Sequence, residues 1–210
     1  MSIKTKAKYF LAFGMFNIVL YFLVQNYVTA HKQDLMMEID SAIPFMPEYV
    51  WIYHTLIPVI FVSFLTLYRT RKDFFIALWS GVLATVVLNC FYLLLPSFYP
   101  RDSFEVVDLA TSILYLTREV DGANNTFPSG HVCFAWLTFW CVLNSKVAQS
   151  FKGLRSLYLL WAIGISLSTL VLKQHYVVDV FSGFVLSYMS YFLAKEMVFY
   201  FNRYRGITPS

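Results

Sequence analysis

Two short polar clusters stand out in a chain that is otherwise strongly apolar. Pro128-Ser129-Gly130-His131 directly precedes a hydrophobic run, and His175 is followed four residues later by Asp179. Residues four apart lie on one face of a helix, so Asp179 can accept a hydrogen bond from one imidazole nitrogen and leave the other free. A free nitrogen can attack phosphorus, and a second, protonated histidine can donate to the departing oxygen. The clusters therefore predict catalysis by His175, Asp179 and His131.

A phosphoryl group in transfer carries negative charge, and several residues near the clusters could bind it. Pro128 suits the first turn of a helix, whose N-terminus offers free N–H groups and a positive dipole end. Gly130 lets the backbone approach a ligand closely, and Ser129 adds a hydroxyl donor. Positive charge is available from Arg101 and Lys173. We therefore predict phosphate binding by Ser129, Gly130, Arg101 and Lys173.

Metal and cofactor motifs are missing from the sequence. It has no acidic cluster typical of a metal site, no P-loop and no dinucleotide-binding fingerprint. The three cysteines, Cys90, Cys133 and Cys141, fall inside apolar runs without metal-ligand spacing. We therefore expect chemistry that needs neither a metal ion nor another cofactor.

Each of the polar residues also has a simple structural interpretation. A lone histidine in a membrane helix can pack or hydrogen-bond between helices, and a Lys or Arg near a helix end can extend its charge to the interface. The corresponding alternative for the whole chain is a catalytically silent membrane scaffold or binder. An altered histidine or aspartate would favour that alternative, and His131, His175 and Asp179 are all present.

The composition places these clusters in a membrane protein. Of the 210 residues, 59% are apolar and 13% are charged, whereas soluble domains carry about 25% charged residues. A helix needs roughly 20 mainly apolar residues to cross a bilayer. Six windows qualify, the fourth only if its helix begins near Phe127: residues 9–28, 50–68, 74–95, 127–145, 156–172 and 176–201. The predicted fold is an all-α membrane protein with six transmembrane helices in one domain, residues 1–210.

Positive charge is distributed unevenly along the chain, and this predicts the orientation of the helices. Of the 16 Lys and Arg residues, 12 lie before the first span, in the loops between spans two and three and between spans four and five, or from Lys195 to the end of the chain. These segments are predicted to be cytoplasmic. Both termini are then cytoplasmic, and both histidine clusters face a periplasm, a lumen or the exterior. Charge at the membrane surface accounts for the net charge of +4 without a nucleic-acid partner.

Three further segments carry signals of their own. Val28-Thr29-Ala30 resembles a signal-peptide cleavage site, but the apolar run before it is longer than the roughly 7–15 residues of a signal, so we expect it to be retained. In the loop 96–126, Asp102 to Glu105 resembles a capping box, and the spacing that follows predicts an interfacial helix that is either a lid or a passive surface helix. Ser182-Gly183 could pack within or between chains, which leaves the oligomeric state open.

The two clusters resemble signatures of the type-2 phosphatidic acid phosphatase and haloperoxidase superfamily. Its second signature, P-S-G-H, is matched by Pro128-Ser129-Gly130-His131, and its third, S-R-x-x-x-x-x-H-x-x-x-D, in part by Ser168, His175 and Asp179. The resemblance covers the third to sixth spans and implies a six-helix membrane core. It also implies that His175 is the nucleophile, Asp179 its orienter and His131 the acid on the leaving group. Ser129 would help to hold the phosphoryl oxygens, and Ser168 is a possible site residue.

The chain departs from the family pattern in its positive charges. In the first signature, K-x-x-x-x-x-x-R-P, only Arg101 matches, because Leu94 replaces the Lys and Asp102 the Pro. In the third, Thr169 stands in place of Arg, and Lys173 is the nearest replacement. Similar relaxed patterns occur in the branch that resembles inositol phosphorylceramide and sphingomyelin synthases, which transfer a phosphorylated head group between lipids. The resemblance thus implies a lipid phosphate substrate, a phosphohistidine intermediate, and either hydrolysis or head-group transfer.

Overall fold

The computed structural model describes residues 1–27 and 33–204. The cleavage-like motif Val28-Thr29-Ala30, which includes the predicted end of the first span, lies outside the described residues. The described helices are α1 (Ile3–Tyr27), α2 (Glu38–Ala42), α3 (Val50–Tyr53), α4 (Leu56–Thr66), α5 (Arg71–Leu94), α6 (Leu109–Asp121), α7 (Gly130–Leu143), α8 (Lys146–Ser150), α9 (Lys152–Val171) and α10 (Val177–Tyr204). A 3₁₀ turn at Pro47–Tyr49 precedes α3, and two short strands, β1 (Gln33–Asp34) and β2 (Ser97–Phe98), pair in parallel.

Five of the six predicted spans correspond to helical segments long and apolar enough to cross a membrane. These segments are Ile3–Tyr27, Pro47–Thr66, Arg71–Leu94, Gly153–Val171 and Val177–Tyr204. The prediction of an all-α membrane protein is therefore confirmed. The fourth predicted span corresponds to α7, which is apolar but has only 14 residues, or about 21 Å of helix. The count of six transmembrane helices stays a prediction.

The helix α7 begins later than its sequence suggests. It starts at Gly130 and not near Phe127, so Pro128 lies outside the helix. Ser129 is the N-cap, and its Oγ accepts a hydrogen bond from the backbone N–H of Val132 at 3.4 Å. The backbone of Ser129 is extended, with ψ at 115°, as is usual for a residue that caps a helix with its side chain. The cap therefore fixes the first helical residue at Gly130.

The helix predicted in the loop between the third and fourth spans is present as α6, but its predicted start was wrong. Its N-cap is Asp108, whose Oδ1 accepts from Thr111 N at 2.8 Å, while Thr111 Oγ1 accepts from Asp108 N at 3.0 Å. No helix covers Asp102 to Glu105. The reciprocal bonds of a capping box were expected from a Glu at the fourth position, and here a threonine hydroxyl makes them.

Three helices form the centre of the bundle. α10 packs along α7 and α5, and α7 also packs along α5 and α9. α1 lies outside them against α5 and α4, and it has the smallest buried share of the five long segments. α5 has the largest buried share. The helices that carry the two histidine clusters therefore lie at or next to the best-packed part of the protein.

The connections between helices separate into two ends of the bundle. At one end, Lys6 Nζ at the start of α1 donates to the carbonyl of Leu65 at the end of α4, at 3.3 Å. At the other end, Gln33 N after α1 donates to the carbonyl of Pro96 after α5, at 2.8 Å. These pairings agree with the grouping of segments that the sequence predicts. Which end faces the cytoplasm stays a prediction.

The helices α7 and α10 approach each other closely at Gly183. A Cβ atom at this position would lie 2.5 Å from the carbonyl oxygen of Ser129 and 3.3 Å from the backbone nitrogen of Cys133. Both are backbone atoms, so only a shift of a whole helix could make room. Gly183 lies one helical turn after Asp179, and the contact therefore fixes the spacing between the two polar clusters.

Gly183→Ala is expected to lower the stability of the purified protein. Overpacking of this kind costs about 1–3 kcal/mol, which should appear as a lower unfolding temperature in detergent. Gly14→Ala is the matched control, because no described atom beyond its chain neighbours and the backbone of its own helix lies within 4 Å of the Cβ position there, and alanine favours a helix by up to about 1 kcal/mol. Equal stability of the two variants would contradict the close helix crossing.

Candidate active site

His175 lies in the tight turn between α9 and α10. The backbone N–H groups of Gln174 and His175 donate to the carbonyl of Thr169, at 3.0 Å and 3.2 Å, and Lys173 takes a left-handed conformation with φ at 54°. The imidazole Nδ1 lies 2.9 Å from the carbonyl oxygen of Thr126. A carbonyl oxygen can only accept, so Nδ1 carries the hydrogen. The other nitrogen, Nε2, then has its lone pair free.

Asp179 lies beside His175 but is not its nearest partner. Its Oδ2 is 3.5 Å from His175 Nδ1, and the same oxygen accepts from the backbone N–H of Tyr176 at 2.9 Å. The carbonyl oxygen of Asp179 accepts from the N–H of Ser129 at 3.0 Å. Asp179 is fully buried and thus links the start of α10 to the N-cap of α7. The Asp179 carboxylate lies at ion-pair distance from His175. The hydrogen bond from His175 Nδ1 to the carbonyl oxygen of Thr126 is shorter.

The segment after α1 supports the turn that carries His175. Asp40 is 3% exposed, and its Oδ1 accepts from the first N–H of α10, that of Val177, at 2.8 Å. Its backbone carbonyl accepts from Lys173 Nζ at 2.9 Å. Tyr176 Oη donates to the carboxylate of Asp34 at 2.7 Å. Two acidic residues of the segment between α1 and α3 therefore hold the turn.

His131 lies in the first turn of α7 and faces His175. Their ring centroids are 6.4 Å apart, with an angle of 53° between the ring planes. His131 also stacks on Tyr53, with centroids 4.1 Å apart, and its Nδ1 is 3.3 Å from the hydroxyl oxygen of Tyr53. The three predicted catalytic residues, His131, His175 and Asp179, thus lie together, close enough for both rings to contact one phosphate ester.

Arg101 places a half-buried guanidinium group near Tyr53, the stacking partner of His131, and near Asp121. Its Nε and Nη1 atoms are buried and have no hydrogen-bond partner among the described residues. Burial lowers the pKa of Arg101, and the nearby carboxylate of Asp121 opposes that shift. Because an unperturbed guanidinium has a pKa above about 12, the group remains a cation at neutral pH. Arg101 therefore has N–H groups available for an anion.

A second arginine, Arg118, also lies on this side. It donates to the carbonyls of Asp102 and Leu172, at 2.9 Å and 3.1 Å, and lies over the rings of Phe104 and Phe45. Burial lowers the pKa of Arg118, and the charge of Arg101 lowers it further. Arg118 thus ties α6 to the end of α9 while adding positive charge.

The remaining predicted site residues differ in their positions. Ser129 is fully buried and uses its oxygen to cap α7, which leaves its hydroxyl hydrogen free to donate. Gly130 follows it, and a Cβ there would lie 3.3 Å from the hydroxyl of Tyr92. Ser168 donates to the carbonyl of Ile165 within α9, at 2.7 Å. The Lys173 side chain is bonded to the segment after α1. Ser129 and Gly130 therefore lie beside the histidines, whereas Ser168 and Lys173 have protein partners.

No three His, Cys, Asp or Glu side chains come together as a metal site within residues 1–27 and 33–204. The expectation of chemistry without a metal or cofactor stays a prediction.

Sequence reasoning missed several groups around the histidines. Thr126 contributes a backbone carbonyl, for which no side-chain pattern gives a signal. The neighbouring Asn125 is 5% exposed, with φ at 59°, and its amide has no partner among the described residues. Tyr53 and Asp121 lie in segments without a motif. Asp40 could have been suspected, as an acidic residue in an apolar segment. These residues come from four different parts of the chain.

The chain was compared with known families and structures. The family model described as the PAP2 superfamily matches residues 73–203, from the first turn of α5 almost to the end of α10. No solved structure matches the chain. The matched region is more than half of the sequence and contains both histidine clusters, so the resemblance of the two signatures is confirmed. The chain belongs to the PAP2 superfamily, whose members are phosphoesterases or phosphotransferases.

Proposed function

We propose that this protein is an integral membrane enzyme that cleaves a lipid phosphate through a phosphohistidine on His175, at the extracytoplasmic face. The observation that carries the proposal is the hydrogen bond from His175 Nδ1 to the carbonyl of Thr126. It holds the imidazole in the tautomer whose Nε2 can act as a nucleophile. The ring of His131, 6.4 Å away, supplies an acid on the far side of the reacting group.

In the first step, Nε2 of His175 attacks phosphorus while the bond to the leaving oxygen breaks. That oxygen takes the proton from His131, and the Nδ1–H of His175 remains bonded to Thr126. The imidazole of His175 becomes positively charged as the new P–N bond forms, and the carboxylate of Asp179 at 3.5 Å stabilises that charge. Arg101 and the hydroxyl of Ser129 bind the phosphoryl oxygens, where charge stabilisation is most effective.

In the second step, a hydroxyl group attacks the phosphohistidine. His131, now neutral, accepts the proton of the attacking hydroxyl, and the P–N bond breaks. Attack by water makes the protein a lipid phosphatase. Attack by a lipid alcohol makes it a head-group phosphotransferase of the inositol phosphorylceramide or sphingomyelin synthase type. The two reactions share the residues of the first step.

Exposed apolar side chains beside the site support a lipid substrate. The segment around α2, which holds the His175 turn through Asp34 and Asp40, exposes a set of large hydrophobic residues: Met36, Met37, Ile39, Phe45 and Met46. The approach to α6 exposes Val106, Val107 and Leu109. Apolar surface of this kind next to a polar site suits a ligand with a charged head and a hydrocarbon tail. The positive-inside rule supports the extracytoplasmic side.

His175→Ala is expected to reduce turnover to the background rate, because it removes the nucleophile. The detergent-purified protein, with chelator present, is incubated with a panel of lipid phosphates and phosphodiesters. Free phosphate and new lipid products are both measured. His54→Gln is the matched histidine control, since His54 is exposed and its Nε2 is 2.9 Å from the hydroxyl of Thr117, a bond that an amide can replace.

The products separate the two reactions. Phosphate release that depends on His175 indicates a phosphatase, and a new phospholipid that forms only with an added lipid alcohol indicates a transferase. Turnover that is absent for every lipid, or unchanged in His175→Ala, would overturn the proposal and favour a silent scaffold.

His131→Gln is expected to slow cleavage of an alkyl phosphate by about 10²–10⁴-fold, the usual contribution of a general acid. The loss should be much smaller for a p-nitrophenyl ester, because nitrophenolate leaves without a proton. The ratio of rates on the two substrates is the measurement. An equal loss on both substrates would mean that His131 does not act on the leaving oxygen.

Arg101→Gln is expected to lower kcat/KM by about 10²–10³-fold, as removal of one donor to a transition-state oxygen does, and Arg101→Lys to restore part of it. Arg155→Gln is the matched control, because Arg155 also has a buried, unpartnered Nε but lies near the opposite end of α9. Wild-type kcat/KM in Arg101→Gln would show that Arg101 does not bind the phosphoryl oxygens.

Lys173→Met should affect stability more than kcat/KM, since Lys173 Nζ donates a hydrogen bond to the backbone carbonyl of Asp40.

A further inference from the structure

Tyr53 links His131 to Asp121 through hydrogen bonds of its hydroxyl group. Neither Tyr53 nor Asp121 belongs to a signature of the family. We propose that Asp121, acting through Tyr53, is a positioning residue that keeps His131 protonated on both ring nitrogens, ready to donate to the leaving oxygen. The inference rests on the proposed function and adds an element to it. Tyr53 lies outside the region that matches the family, which is residues 73–203.

The direction of each hydrogen bond in this chain follows from the groups involved. The hydroxyl of Tyr53 is 3.3 Å from Oδ2 of Asp121 and 3.3 Å from Nδ1 of His131. A carboxylate only accepts, so the single hydroxyl hydrogen of Tyr53 points to Asp121. The Tyr53 oxygen then accepts from His131, whose Nδ1 must carry a hydrogen. Both contacts are long, as catalytic hydrogen bonds often are before substrate binds.

Asp121 is itself held in place by α1. Tyr21 Oη donates to Oδ1 of Asp121 at 2.8 Å and lies 3.2 Å from its backbone carbonyl oxygen. One carboxylate oxygen therefore faces Tyr21 and the other faces Tyr53. Within the described residues, no Lys, Arg or His forms an ion pair with Asp121 at 4 Å or less, so its negative charge is not neutralised by a direct partner.

The other charged or titratable groups around His131 are few. His175 faces it from the α9–α10 turn, and His54 lies beside Tyr53 at the break between α3 and α4. Arg101 faces Asp121 and both tyrosines. Both histidines oppose a second proton on His131 through charge repulsion when they are cationic. Burial lowers the pKa of His131, and the negative charge of Asp121, the anion of this group, opposes that shift.

The proton balance of the first step assigns each hydrogen. His131 begins with hydrogens on Nδ1 and Nε2. The Nε2 hydrogen passes to the leaving oxygen as the P–O bond breaks, while the Nδ1 hydrogen stays bonded to Tyr53. No proton moves to Tyr53 or Asp121. The network therefore acts before the transfer, by retaining the second proton, and loss of the negative charge of Asp121 should release that proton at lower pH.

The test is the pH dependence of kcat/KM, which reports the essential acid and base of the free enzyme. Asp121→Asn is expected to move the alkaline limb, where His131 loses its proton, down by about one pH unit. Tyr53→Phe keeps the stacked ring but breaks the link, and should move the limb in the same direction. The acidic limb should stay in place.

The matched control is Tyr158→Phe. It removes a tyrosine hydroxyl that makes a 2.7 Å hydrogen bond to Ser63 in a buried position, away from His131, and should leave both limbs unchanged. An unchanged alkaline limb in Asp121→Asn and Tyr53→Phe would overturn the inference. So would an equal loss of kcat/KM at every pH, which indicates a merely structural role.

A second measurement keeps the inference separate from the proposed function. The ring nitrogens of ¹⁵N-histidine-labelled protein are titrated by NMR, with His131 assigned from His131→Gln. We expect a neutral tautomer with the hydrogen on Nδ1, and loss of the second proton at lower pH in Asp121→Asn. A neutral tautomer with the hydrogen on Nε2 would overturn the inference whether or not lipids are cleaved. Absence of turnover with the expected titration would overturn only the proposed function.

Discussion

The hydrogen bond from the side chain of His175 to the backbone carbonyl of Thr126 joins the turn between α9 and α10 to the segment between α6 and α7. Its position depends on further bonds behind it: Ser97 Oγ contacts the hydroxyl of Thr126 at 2.9 Å and accepts from Phe127 N at 2.8 Å, and Ser97 lies on the strand that pairs with Gln33. A carbonyl oxygen carries no titratable proton, so it selects the same histidine tautomer at any physiological pH. Asp179, the aspartate of the third signature, is therefore not needed to select the tautomer.

Buried carboxylates, including that of Asp179, bind backbone N–H groups at the start of α10. Asp179 accepts from Tyr176 N, and the two oxygens of Asp40 accept from Val177 N and Met37 N. The first N–H groups of a helix have no partner within it, and a carboxylate near them is stabilised by the helix dipole. A charge is costly within an apolar bundle, and these bonds offset the cost. The start of α10 is therefore set by two acidic residues, Asp179 in its own first turn and Asp40 from the segment after α1.

The sequence predicted what depends on apolar length and on residue types at fixed spacing. The membrane class, five of the helical segments and the meeting of His131, His175 and Asp179 follow from such patterns. It did not predict what depends on backbone geometry: α7 starts at Gly130 because the extended Ser129 caps it, and Thr126 acts through a carbonyl that every residue has. The roles of Asp121 and Tyr53 could not be predicted either, since only tertiary packing places them behind His131.

As the predicted fourth transmembrane helix, α7 would be short for the surrounding bilayer. A helix of 14 residues is about 9 Å shorter than a hydrocarbon core of roughly 30 Å. Hydrophobic mismatch of this size is relieved when the bilayer thins locally or flanking polar residues extend to the interface. Where α7 borders lipid, the head-group layer would then dip towards the histidines at its N-terminus. Under the proposed function, a lipid substrate could then present its phosphate by lateral diffusion within the leaflet, and its acyl chains would never need to enter water.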